Sequence, residues 1–434
     1  MSGYEIEMCL IDERGDVSQE IDKIMALCKA KDKKFPIVDE VSHNMVEINA
    51  LPHSRIQKTA LYLLDNVKQA QEICLENNLS FMPLGTYPGK FKEKLRKDNR
   101  YIYSAKALDE KKYSFFYPRC FGFHYHYTLP RGMFNNKTKF LNNPSRSRVK
   151  TTLLSSYNLF IAIDPIITTI SQSSPFAEGK YFGKDSRMIF WRGGKKLKYD
   201  GMFNKNQMLG GLQPYKQTLL DLMHTLEQKD KKVKRLFRKA GVPDVFLKKK
   251  KKLDLTWNPV KINKLGTLEH RGMDSNYIDI NLSLSVMMKF LLRAIQQDYY
   301  HVVPSDIGID EPFKLEGNII FVPPHTHVRN VWQYKSAYKG LADDEIYKAC
   351  TRFYNLCKKL IYKEYHPTMT PVKKILNNRV TVSDEIISQV KKKGYSLDQN
   401  LPQEVCRQIA LNYADKLMER VDKCVKIFQN LDES

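Results

Sequence analysis

The sequence predicts an α+β fold in which helices enclose an antiparallel sheet with one polar face. Three observations carry this. Four segments, GYEIEM, NMVEIN, GFHYHYT and GTLEHR, alternate apolar and polar residues with the period of a strand. The segments between and after them repeat apolar residues at helical spacing. The four polar faces carry Glu, His, Asn and Arg but no Lys. A solvent-facing strand would favour Thr, Lys and Ser, whereas a cupped antiparallel sheet around a charged ligand needs the selection found here.

GYEIEM sets Tyr4, Ile6 and Met8 on one face and Glu5 and Glu7 on the other. Residues 17–30 read as a helix through Ile21, Ile24, Met25 and Cys28. The run 44–51 alternates again, with Glu47 and Asn49 opposite Val46 and Ile48. Residues 53–77 read as a long amphipathic helix that leads into an extended LSFMPLGTYPG. The whole of 113–129 is expected as strand, with His124 and His126 opposite Phe123, Tyr125 and Tyr127. Helix is expected at 149–172, at 213–228 and at 279–297, and strand at 263–274, where Thr267, Glu269 and Arg271 oppose Leu268 and His270. Residues 341–434 read as largely helical.

A chain of 434 residues with 42% hydrophobic content can bury a large core. The eight cysteines form no C-x-x-C pair or disulfide framework, which fits a reducing compartment. Glu5 and Glu7 fall where a signal peptide would need an apolar run, so a cytoplasmic protein with no membrane span is expected. The net charge is +23, concentrated at 229–241 and 247–253. Such blocks bind nucleic acid, an anionic surface or a phosphate-bearing ligand, or are simply solvated loop. Aromatics do not interleave with these lysines as on a base-stacking platform.

Each strand alone has a plain reading. Glu5 and Glu7 can be a wet edge, His124 and His126 a pair of hydrogen-bonded core histidines, and Arg271 the partner of a neighbouring glutamate. Taken together, the four strands fit divalent-metal binding beside a phosphate, because Mg²⁺ and Mn²⁺ prefer carboxylate oxygens and tolerate imidazole. Glu5, Glu7, Glu47, Glu269 and one histidine would supply ligands, and Arg271 a guanidinium for the transferring phosphoryl group.

The ordered set GYEIE, VEINALP, GTYPG, GFHYHY, SSPFAEGKYFGKDSR and GTLEHRGMD resembles the carboxylate-amine ligase family that includes the second type of glutamate–cysteine ligase, within the glutamine synthetase superfamily. The resemblance covers roughly residues 1–345. It implies a curved antiparallel sheet forming an active-site cup, helices packed outside, and a catalytic unit over 1–345, within which residues 193–256, covered by no motif, read from their charge as a basic excursion. A C-terminal helical extension at 346–434 would pack on that unit. It also implies an ATP- and Mg²⁺- (or Mn²⁺-) dependent reaction, in which a carboxylate, the γ-carboxylate of glutamate foremost, is phosphorylated and then captured by an amine. Under the resemblance Glu5, Glu7, Glu47, His124 and Glu269 bind metal. Asn49, His126, Ser174 and Arg187 contact substrate, and His124, Arg187 and Arg271 contact nucleotide. Arg271, Arg187 and Glu269 carry the catalysis. EGKYFGKDS lacks one spacer and the Ser/Thr of a P-loop and reads as the substrate loop instead. His325, His327 and Arg329 lie either near the nucleotide or on a rigid Pro-linked turn.

Two other functions compete with the ligase: phosphoryl transfer without amide formation, and a basic nucleic-acid-binding protein on the same fold. The expected partners are amino-acid or amine substrates. The Lys-rich stretch 229–252 could recruit an acidic or polyanionic acceptor, and a homo-oligomer is left open.

Overall fold

The computed structural model describes residues 1–143 and 147–433. Its first half runs β1 (Ser2–Asp12), α1 (Ile21–Lys31), β2 (Ile37–Asp39), β3 (Met45–Asn49), α2 (Ile56–Leu75), β4 (Leu79–Met82), α3 (Asn99–Leu108), α4 (Glu110–Phe116) and β5 (Gly122–Thr128). Two short ladders, β6 (Phe134–Asn135) with β7 (Phe140–Leu141) and β8 (Phe176–Ala177) with β9 (Lys180–Tyr181), flank α5 (Arg148–Ser171). Then come α6 (Ser186–Arg192), α7 (Gln207–Gly210), α8 (Leu219–Lys239), α9 (Asp244–Lys249), β10 (Val260–Asn263), β11 (Thr267–Asp274) and α10 (Ile278–Gln297). From Asp344 to Glu433 most residues are helical, and the last helix, Leu417–Glu433, packs against α2 and α10.

The main sheet is seven-stranded and antiparallel, in the order β10-β11-β5-β1-β3-β2, with β4 also on β1. Its apolar face is aromatic, with Tyr4 5.6 Å from Phe123 and 6.0 Å from Tyr125 between ring centres. Helix α5 lies on that face, its Phe160 packed near Tyr125 and edge-on to His270. This helix is long and apolar enough to cross a membrane, yet 89% of its most apolar window is buried within the protein, as in a core helix.

Two sequence expectations need correction. Residues 113–121 are not strand. Asp109 caps α4, its carboxylate accepting from the Lys112 N–H at 3.1 Å, and Tyr113 and Phe116 bury in a satellite core with Phe190 and Trp191. Pro118 follows in a 3₁₀ turn, and the strand begins only at Gly122. The helix expected at 213–228 starts at Leu219 and runs on to Lys239. Asn158 holds both the N–H and the carbonyl of Lys216 at 2.8 Å, and Thr218 caps the helix. The first basic block is therefore helical, and its Lys229 is buried, with Nζ donating to Asn258 Oδ1 at 2.9 Å.

Candidate active site

Strand register gathers the polar side chains. Glu5 lies between Asn49 and His124, Glu7 opposite Glu47, and His126 opposite Glu269, which faces Lys261 on its other side. Period-two alternation then puts all of them on one face. A bulge in β11 between His270 and Met273 turns Arg271 onto Glu269, with Nη1 bonded to Oε1.

The contacts are dense. Glu5 Oε2 is 2.9 Å from His124 Nδ1, and Glu5 Oε1 is 3.1 Å from His126 Nε2. His126 Nδ1 meets Thr267 Oγ1 at 2.9 Å. Glu7 Oε2 accepts from the Gly122 N–H at 2.6 Å, Glu47 Oε1 from Asn49 Nδ2 at 3.0 Å, and Glu269 Oε2 from Asn263 Nδ2 at 2.5 Å. Burial opposes ionisation of Glu5 and Glu269. For Glu5 the two histidines outweigh burial and hold the carboxyl well below its usual range. For Glu269, Arg271, His126 and Lys261 hold it at about 2. Glu47 moves well above its usual range, through burial and the charges of Glu5 and Glu40, and burial with Glu7 pushes Glu40 to about 7.

These residues fit divalent cations. Three groups, Glu5/His126/Glu269, Glu5/Glu47/His124 and Glu7/Glu40/Glu47, each bring their ligand atoms within 4.8 Å of one another. They overlap through Glu5 and Glu47. His124 Nε2 and Glu40 Oε2 are buried without a hydrogen-bond partner, and a set of hard oxygens with one or two imidazoles suits Mg²⁺ or Mn²⁺.

Two cavities meet at the cluster. One, of ≈220 Å³, contains Glu40, Glu47, Arg100, Lys261 and Arg271, and shares Arg100, Tyr117, Asp254, Lys261 and Arg271 with a ≈110 Å³ recess walled by Tyr113, Trp191 and Trp257. The other, of ≈460 Å³, is lined by Gly3, Asn49, His126, Thr128 and Thr267. Glu5 and Leu265 line both of the larger spaces.

Of the residues singled out in the sequence, Glu5, Glu7, Glu47, His124, His126, Glu269 and Arg271 come together, with Asn49 at the edge. Arg187 and Ser174 do not reach the cavities. The Arg187 guanidinium is buried and donates to the carbonyls of Arg271 (3.2 Å) and Gly272 (3.3 Å). Ser174 Oγ donates to Asp274 Oδ2 at 2.7 Å. Arg187 thus braces the backbone of β11, and Ser174 the Asp274 carboxylate at its end. Nor does the 323–341 segment join the cluster: His327 Nε2 bonds Glu345 Oε1 at 2.5 Å, and Arg329 lines a separate cavity. The sequence reading missed Glu40, Arg100, Lys261 and Asn263. The short alternation of VKIN could have revealed Lys261 and Asn263, but Glu40 and Arg100 lie in a loop and a helix without a comparable pattern.

The fold has solved relatives. A bifunctional glutathione synthetase from Pasteurella multocida aligns with TM-score 0.53 at 12% identity, over 97% of this chain and 52% of that one. This chain thus spans about half that enzyme's length. A glutamate–cysteine ligase from Francisella tularensis, solved in complex with AMP, aligns with TM-score 0.52 at 14% identity, over 99% of this chain and 94% of that one. These likenesses show a shared fold. No curated protein matches the sequence. Residues 1–353, by contrast, match the family model described as glutamate-cysteine ligase family 2, and the chain belongs to that family of ligase enzymes.

Proposed function

We propose that this protein is an ATP- and divalent-metal-dependent ligase that joins a carboxylate, the γ-carboxylate of glutamate foremost, to an amine through an acyl phosphate. The observation that carries this reading is the row of three overlapping ligand groups at the junction of two cavities, with Arg271 facing it. The AMP bound by the Francisella enzyme supports nucleotide use. In this reading Tyr113, Trp191 and Trp257 flank the base, and Arg100, Lys261 and Arg271 meet the phosphates. The amino acid enters the cavity of Asn49, His126 and Thr128.

Glu5, Glu7, Glu47, His124 and Glu269 would hold Mg²⁺ or Mn²⁺, with Glu40 and His126 as further ligands. Bound there, the ions would supply positive charge to offset the triphosphate and the leaving phosphate. The protein's own residues would do the rest. Glu269 and Arg187 hold the β11 bulge, so that Arg271 presents its guanidinium where charge develops on the transferring phosphoryl group. Asn49 and His126 orient the carboxylate beside it.

We also read the sheet as the wall of a cup of the glutamine synthetase type. The convergence of polar side chains from β1, β3, β5 and β11, with α5 covering the opposite face, supports this. Residues 1–345 would form the catalytic unit and 346–434 a helical extension. Eight free, buried cysteines support residence in a reducing, cytoplasmic compartment. An acidic acceptor recruited through 229–252 is part of the same proposal.

The test is incubation of purified protein with ATP, Mg²⁺, glutamate and pools of amines, followed by mass spectrometry. An amide with stoichiometric ADP and phosphate is the expected result. A phosphorylated product without amide would replace the ligase with a phosphoryl transferase. No turnover, together with salt-sensitive RNA binding, would favour the nucleic-acid reading.

A further inference from the structure

A further cavity of ≈360 Å³ shares no lining residue with the site above. It lies between the loop that follows α6 and a single π-helical turn, Val328–Trp332, a backbone irregularity often found at functional sites. Four of its lining residues are cations, Arg192, Lys195, Lys196 and Arg329, and none is a carboxylate.

The four cations are not equivalent. Arg192 is buried and its Nη atoms are committed, to Asp164 at 2.5 and 2.9 Å and to Gln333 Oε1 at 2.8 Å, but its Nε is buried without a partner. Lys195, Lys196 and Arg329 have no ion pair among the described residues. Three uncompensated positive charges therefore converge on one concave space, and ordinary surface patterning would intersperse acids among them.

The walls are held in place independently of any ligand. Gln207 Nε2 donates to the Arg192 carbonyl at 2.7 Å, and Gln333 Nε2 to the Arg329 carbonyl at 2.9 Å. Gly193 and Gly194 both take left-handed φ values, +52° and +95°, which lets the chain reverse at the end of α6 and bring the two lysines to the rim. The cavity is also set apart from the glutamate cluster. Arg192 reaches it from Asp164, and Asp164 lies 3.2 Å from His270, which projects from β11 on the side away from Glu269 and Arg271.

We propose that this cavity is a binding site for a small multivalent oxyanion, distinct from the catalytic nucleotide. Arg329 supplies directional donors, and Lys195 and Lys196 supply point charges at the mouth. The space suits a compact di- or trianion, either phosphate-bearing or a polycarboxylate.

Isothermal titration of the full chain with pyrophosphate and, separately, with citrate tests this, in metal-free buffer at low salt. Under those conditions the carboxylates of the catalytic site disfavour anions. Saturable binding of one equivalent is expected, and the tighter of the two probes identifies the anion class. The Lys195→Gln/Lys196→Gln double variant and Arg329→Gln should each weaken binding at least tenfold. Lys195 and Lys196 are exposed, so an unchanged thermal midpoint is expected for the double variant. Neutralising Lys248–Lys252, which removes more charge, should leave affinity within twofold. The proposal fails if neither probe binds saturably. It also fails if the 248–252 variant loses as much affinity as the double variant, or if Arg271→Gln alone abolishes binding.

Discussion

The α-carbon of Gly122 lies directly against the guanidinium of Arg187: a Cβ added at Gly122 would sit 2.0 Å from Nη2. The glycine that opens the G-x-H-x-H strand therefore has a steric cause. It makes room for an arginine whose donors hold the carbonyls of Arg271 and Gly272. Gly122→Ala should displace Arg187, cost roughly 1–3 kcal/mol of stability and lower turnover. Arg187→Ala alone should also destabilise, but the double variant should lose much less than the sum, as read by thermal denaturation in a double-mutant cycle. Strict additivity would refute the relationship.

Glu269 is fully buried between Arg271, Asn263 and His126. Glu269→Gln keeps the shape but removes the charge, and should lower kcat by roughly 10²–10³-fold with the fold retained by circular dichroism. Glu269→Ala should abolish turnover and also lower the melting temperature, because it leaves the Arg271 guanidinium buried without its counter-charge. Near-normal activity in either variant would remove Glu269 from the site.

Arg271→Lys should be nearly as severe. A lysine restores the charge but not the planar fork that can hold Glu269 and still present donors to the cavity. A loss of about 10²-fold in kcat with a smaller change in KM would show that the guanidinium acts in the transition state.

Mg²⁺ or Mn²⁺ added to metal-free protein should raise the melting temperature in a concentration-dependent way, because the ions bind the folded state and relieve repulsion among Glu5, Glu7, Glu40 and Glu47. EDTA should reverse the shift. Glu47→Gln should reduce it strongly, since Glu47, like Glu5, belongs to two of the three ligand groups. An equal shift in wild type and variant would contradict the assignment.

Burial, with Lys216 and Lys261 nearby, lowers Lys229 to about 7, whereas an unfolded lysine titrates near 10.4. Between those values the unfolded chain holds a proton that the folded chain lacks, so the contribution of this group to stability rises with pH. Below pH 7 the cost of burying the charge is felt in full. Relative to Lys229→Met, wild type should gain about 1–3 kcal/mol between pH 7 and 10 in urea denaturation. Parallel pH profiles for the two proteins would show that Lys229 is solvated.

The strands of the site were legible because alternation is a local property. Glu5, Glu7, Glu47, His124, His126, Glu269 and Arg271 each stand in a run whose apolar partners declare the buried face. Tyr113 and Phe116 misled for a related reason. Aromatic runs suit a strand and a buried short helix equally well, and the Asp109 cap that decided for helix is a matter of geometry. The motifs around Arg187 and Ser174 named the residues but not their partners, the β11 carbonyls and the Asp274 carboxylate, because a motif records which side chains occur and not which way they point.

The sequence by itself determined the α+β class, the polar face of the central strands and most of the Glu/His cluster on it, since period-two patterning sets the face of every residue on a strand. Only the tertiary structure decided which residues complete that face. Glu40 and Arg100 arrive from a loop and a helix, and Lys261 from an edge strand, because long-range packing brings together groups with no common spacing in the chain. The same packing placed the donors of Arg187 on the backbone that carries Arg271.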